Sequence, residues 1–205
     1  MKKMFLIILM LMCGLVTLNA ELFTVGSFSC ALLDDEDDED YREIKILCDD
    51  EKNVYSIFLE LGSDWYTLFF TSKHLEKFIG NLQKGLSWSK IAKETKTSIL
   101  KEVPDSRIDV VGAKRINNKI YTSKTLIPLG FIFFSKMGEI EGPPILVIES
   151  GTALSNESEF TTVEFKSFAL TPEQIEELIS VLSSDSVKAA KKKYELQKNA
   201  NDMFN

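Results

Sequence analysis

Three strand-like runs, Tyr41–Cys48, Val54–Leu61 and Trp65–Phe70, follow one another with only Asp49–Asn53 and Gly62-Ser63-Asp64 between them. Connections this short cannot carry the crossover that a parallel pair needs, so the neighbours run antiparallel. Ile44, Ile46 and Cys48 share one face of the first run, as in a half-buried strand. A fourth run, residues 22–33, precedes them. Between it and the meander stands Asp34-Asp35-Glu36-Asp37-Asp38-Glu39-Asp40, an unbroken block of acids. Like charges packed in a ladder repel one another, so this block reads as an exposed loop.

A helix follows the meander. Thr71 is placed to cap it, and Leu75, Phe78, Ile79, Leu82 and Leu86 form one apolar stripe at helical spacing. Gly80 and Gly85 weaken the helix, and Trp88–Lys96 continues it after a kink. Val103-Pro104-Asp105 ends helical structure. Strand signals then return at Ile108–Val111, at Leu129–Phe134, at Ile145–Ile148 and along Thr161–Leu170. Asn117-Asn118 marks a tight hairpin, since Asn tolerates positive φ. A second helix opens at Thr171, with Pro172 at its first position and Gln174 closing a capping box. Its stripe is Ile175, Leu178, Ile179 and Leu182. A lysine-rich helix from Ser186 to about Lys198 ends the chain.

The expected fold class is therefore α+β. An antiparallel β-sheet is packed on one face by the two amphipathic helices, with a C-terminal helix added. The alternation is not βαβα, which excludes a doubly wound nucleotide fold. The helix starts also echo one another. Thr71 to Leu82 overlaid on Thr171 to Leu182 gives identity at the threonine, at Glu76 and Glu176, at Ile79 and Ile179, and at the final leucine. The overlay has two readings: a duplicated strand-meander/helix unit, with halves at 41–100 and 105–185, or the stripe and cap that every such helix needs. The run Phe70 to Lys93, with its aromatic strand end, striped helix, Trp88 and Ala92-Lys93, resembles segments of small exported bacterial proteins of uncharacterised function. That resemblance carries no catalytic motif and implies no site residue.

The first twenty residues read as a signal peptide. Lys2 and Lys3 supply the positive start, Met4–Met12 the apolar core, and Ala20 a small residue for cleavage. The charge-free run, about 15 residues, falls short of the roughly 20 that a spanning helix requires. Residues 21–205 would then form a single domain, periplasmic or secreted, with no stable membrane insertion after cleavage. Removal of the leader leaves 22 basic against 31 acidic groups, a net charge of −9. Such a surface is ill-suited to phosphate backbones, so nucleic acid is not an expected partner. Cys30 and Cys48 remain in the mature chain. In an oxidising compartment they could close one disulfide loop, worth up to roughly 3 kcal/mol, or stay as two buried thiols.

Dedicated chemistry is scarce. His74, the one histidine, falls in the first turn of a helix, where the dipole disfavours its protonated form, and no nucleophile motif accompanies it. Ser-x-x-Lys occurs at Ser87/Lys90 and Ser98/Lys101 without its companion motifs. No Walker loop, Gly-x-Ser-x-Gly or Gly-x-Gly-x-x-Gly is present. Asp34, Asp35, Asp37 and Asp38 could gather calcium loosely, since a solid acid block lacks the spaced ligands and glycine turn of a specific site. No cofactor is expected. Asn156-Glu157-Ser158 is a glycosylation sequon. Two functions remain: a non-enzymatic protein that binds a protein or small-molecule ligand through its sheet face or loops, and a hydrolase assembled from carboxylates. The second would draw on Glu139, Glu141, Glu149, Glu157 and Glu159, because a carboxylate pair needs no histidine.

Overall fold

The computed structural model describes residues 22–33, 40–49, 51–136 and 142–204. The leader at 1–20, the acidic residues Asp34, Asp35, Asp37 and Asp38, and Glu139 and Glu141 lie outside them. The elements in chain order are β1 (Phe23–Leu33), β2 (Asp40–Asp49), β3 (Val54–Leu61), β4 (Asp64–Thr71), α1 (Ser72–Thr95), β5 (Ile99–Glu102), β6 (Ile108–Ile116), β7 (Lys119–Thr122), β8 (Ile127–Ser135), β9 (Ile145–Ser150), β10 (Thr152–Leu154), β11 (Thr162–Glu164), β12 (Ser167–Leu170), α2 (Pro172–Val181) and α3 (Ser184–Phe204).

The expected single sheet with one helix-covered face is not what forms. The antiparallel ladder runs β8-β9-β12-β1-β2-β3-β4-β6, and β6 then pairs with β8. Ile108 stands opposite Leu129 and Val110 opposite Ile127, and this short seam closes an eight-stranded barrel. The reason is the stacking of inward faces. Phe28, Ile44, Leu59 and Tyr66 lie side by side across β1 to β4. Leu32, Phe168, Ile148 and Phe131 do so across β1, β12, β9 and β8. A twisted ladder with a continuous apolar face buries it most fully by curling onto itself, which also removes its edges. Outward positions on the same strands carry Glu43, Lys45, Glu60 and Glu149, and Lys45 pairs with Glu60 at 3.3 Å. Apolar-in and charged-out is the reverse of a lipid-spanning barrel.

The interior is filled. Phe28, Phe70, Phe131, Phe133 and Phe168 are fully buried and share one cluster with the aliphatic residues around them. An eight-stranded barrel is just wide enough for side chains to occupy its lumen. The helices close one end. α1 leaves from the end of β4 and α2 from the end of β12. Phe78 of α1 packs edge-on against Phe70 and Phe131 at ring separations of 5.3 and 5.6 Å. Thr71 caps α1, and Thr171 with Gln174 forms the capping box of α2. Gln174 Nε2 also donates to the Ser29 carbonyl of β1 at 2.7 Å. α1 runs through Gly85 and on to Thr95 as one helix rather than two stretches. Beyond Leu82 its buried face continues as Gly85, Ser89 and Ala92, small residues that let the helix lie close to the strands. The hairpin β10–β11 folds over the other end and brings Ala153, Val163 and Phe165 into the same core.

Candidate functional site

Cys30 is buried in the barrel core, Cys48 is buried in a separate cluster with Phe23 and Val187 of α3, and each is a thiol rather than half of a disulfide. Of the two readings the sequence leaves open, register favours the buried thiols. Cys30 stands opposite Arg42, and Cys48 lies six residues further along β2, roughly 20 Å at strand rise. No disulfide spans that distance. Burial pushes the Cys30 thiol up to about 12, which makes it a packing residue and not a nucleophile. His74 sits in the first turn of α1. Burial and then the neighbouring Lys73 push its imidazole below the ordinary value, against the pull of Asp109. Its Nδ1 is buried without a hydrogen-bond partner among the described residues.

The glutamates separate into different roles. Glu157 closes an edge. Its carboxylate accepts from Thr122 N at 2.7 Å, Thr122 Oγ1 at 2.8 Å and Ser155 Oγ at 2.7 Å. Burial raises its pKa, and these hydrogen bonds outweigh burial and hold it below the usual carboxylate value. Asn156 of the sequon donates through Nδ2 to Thr122 Oγ1 in the same network. Glu159 is exposed. Glu149 differs, because it lines a concavity.

That concavity is a groove of about 440 Å³ on the outer wall of the barrel, lined by Glu102, Arg107, Pro128, Leu129, Gly130, Glu149, Ser150, Gly151 and Ser167. β8 forms its floor. One wall is the excursion between β5 and β6, and the other is β9 with the start of β12. Gly130 opens the floor. Its neighbours on the outer face, Ile132 and Pro128, carry side chains, whereas a Cβ at Gly130 would meet only Glu149, at 3.9 Å. Glu102 is opposite Ile132, and Ile132 is opposite Val147, two residues before Glu149. Two strand spacings and a two-residue offset separate the two glutamate backbones by about 12 Å, with the gap at Gly130 between them.

The floor is tied down. Gly151 N donates to Pro128 O at 2.8 Å, Ser150 N to Ser167 Oγ at 3.2 Å, and Phe165 N to Ser150 Oγ at 3.1 Å. Arg107 donates through Nε to Asp109 at 2.9 Å, so its charge is partly answered. Among the described residues the side chains of Glu102 and Glu149 make no hydrogen bond or ion pair. The groove therefore presents two unanswered carboxylates over a rigid backbone floor, a field that favours a cationic group.

Sequence reasoning placed Glu149 in its carboxylate pool and missed Glu102, Arg107 and Gly130. Glu102 lies in a four-residue strand whose lysine- and threonine-rich surroundings carry no clear alternation. Gly130 interrupts an apolar run that reads as a central strand. Among the described residues no group of three or more His, Cys, Asp or Glu comes together to hold a metal, and no described helix is long and apolar enough to cross a membrane. Comparison with family models, curated proteins and solved structures finds no match.

Proposed function

We propose that the protein is a non-enzymatic binding protein, exported by its leader, that recognises a ligand bearing an amine or guanidinium group in the groove on β8 and β9. One observation carries this reading: Glu102 and Glu149 flank the opening at Gly130 while the barrel lumen is filled by its own side chains. A barrel that stores ligand needs an empty interior. Here recognition falls to the outer surface, where the groove on β8 and β9 lies. Ser150 and Ser167 already bond the backbone, so the two carboxylates supply the free acceptors.

Amide resonances test the proposal. Titration of the native protein with Ala-Arg-Ala, Ala-Lys-Ala and Ala-Glu-Ala should shift Gly130 and Gly151 with the two basic peptides and not with the acidic one. Glu149→Gln should weaken that binding about tenfold, the scale of one charge-assisted hydrogen bond. Shifts confined to another surface, or equal shifts with all three peptides, contradict the proposal.

The hydrolase reading keeps one observation, two carboxylates in one concavity. The groove is open along its length and lacks the enclosed apolar wall that carboxylate acid catalysis uses. Turnover of a chromogenic glycoside that disappears in both Glu102→Gln and Glu149→Gln would favour it over binding.

A further inference from the structure

The excursion between β5 and β6 brings a positive charge to the groove and holds it in place. Val103 N donates to Phe131 O at 2.8 Å, and Ser106 N to Val103 O at 3.3 Å. From α1, Asn81 Nδ2 donates to the Ser106 carbonyl at 2.8 Å and Lys77 Nζ to the Arg107 carbonyl at 2.6 Å. Arg107 precedes Ile108, and Ile108 stands opposite Leu129, so Arg107 falls beside Gly130. Arg107 and Glu102 share one wall of the groove, and Glu149, opposite Gly130, stands on the other. Asp109 accepts from Arg107 Nε at 2.9 Å. That contact holds the guanidinium by its inner nitrogen and leaves the two Nη groups, whose paired N–H bonds form a fork that fits a carboxylate. Among the described residues Arg107 pairs with Asp109 and with neither groove glutamate.

We infer that the groove takes a free basic α-amino acid, with its α-carboxylate on Arg107, its α-ammonium on Glu102 and its side-chain cation on Glu149. The inference rests on the amine-binding reading above and adds the anionic half of the ligand. Two carboxylates and one guanidinium fork match a molecule with two cations and one carboxylate. Spacing assigns the ends. Arg107 and Glu102 flank the same edge of β8, beside Gly130 and Ile132, about 7 Å apart at strand rise. That short span suits an ammonium and a carboxylate carried on one carbon. Glu149 lies across β8, roughly 10 Å from Arg107 at two strand spacings, and suits the far end of a lysine or arginine side chain. The stem between them crosses Gly130, where a Cβ would meet nothing but Glu149. A groove of about 440 Å³ has room for one amino acid. A simple diamine sets a second cation against Arg107, and an acidic amino acid sets its side chain against Glu149. A basic one satisfies all three groups.

The shift of the Gly130 amide resonance follows titration with L-lysine, with Nα-acetyl-L-lysine and with cadaverine, the diamine that lacks the carboxylate. The native protein should bind L-lysine about tenfold more tightly than either analogue, because each loses one charge-assisted contact. In Arg107→Gln the preference for L-lysine over cadaverine should vanish. Cadaverine itself should bind that variant more tightly than it binds the native protein, since a repelling cation is gone. The three ligands on the native protein suffice even if the variant fails to fold. Cadaverine bound as tightly as L-lysine overturns the inference and leaves the amine-binding reading in place. Nα-acetyl-L-lysine bound as tightly as L-lysine overturns it in favour of a chain end with a basic last residue. A preference that persists in folded Arg107→Gln overturns it as well. No shift at Gly130 with any amine, the basic tripeptides included, removes both readings.

Discussion

A single carboxylate, Glu157, stands in for the missing neighbour strand of β7. The Thr122 N–H, its hydroxyl and the Ser155 hydroxyl all converge on it. Replacing it with alanine leaves those donors without their acceptor. Glu157→Ala should cost about 1–2 kcal/mol, on the order of 5 °C in Tm for a chain of this size. The pH dependence has a definite sign. Because the folded-state pKa lies below the unfolded one, the stabilisation is fully present above the unfolded value and is lost as pH falls through the folded one. The Tm gap between wild type and Glu157→Ala should be full above about pH 5 and shrink toward pH 3. An equal gap at both pH values would remove Glu157 from this role.

Among the elements, α1 shows why the same residue type has opposite effects at two positions. Gly80 is exposed, and a Cβ there would meet nothing within 4 Å. Gly80→Ala should stabilise by about 0.5–1 kcal/mol through helix propensity alone. Gly85 faces the barrel, and a Cβ there would lie 2.8 Å from Leu146 Cδ2 and 3.3 Å from its Cγ. Leu146 is fully buried, so it cannot swing clear, and Gly85→Ala should destabilise by about 1–3 kcal/mol of overpacking. Chemical denaturation of the two variants checks both signs, and stabilisation by both would mean that α1 does not approach β9 closely.

The same helix marks how far the sequence could be read. Thr71, Phe78 and Leu82 announce its start and its apolar stripe, and the caps of both helices follow from Thr171, Pro172 and Gln174 as well. Past Leu82 the buried side turns to glycine, serine and alanine. Close packing there leaves no hydrophobic signal, and one helix reads as two stretches. β5 was missed for a related reason: a short edge strand needs few apolar residues.

For the whole molecule, local patterning identifies the strands and their inward faces but not the partner of the last one. Closure rests on residues 108–110 meeting 127–129, a seam that neither periodicity nor turn chemistry encodes. An amphipathic helix says that one side is buried, not whether it covers a face or plugs an end. The cysteines repeat the lesson. Their spacing allowed a bridge, and register forbids it. The candidate site was legible only in part for the same reason, since Glu102 and Glu149 meet across β8 through long-range pairing.

The account stands or falls on a lumen filled by the protein's own side chains, which leaves recognition to the outer wall. Thiol modification of the native protein, with the labelled cysteines located by peptide mass spectrometry, tests this most directly. Cys30, in the barrel core, should react only at the rate of global unfolding and with its full denaturant dependence. Prompt labelling of Cys30 under native conditions, or recovery of a Cys30–Cys48 disulfide, would contradict a packed and closed barrel.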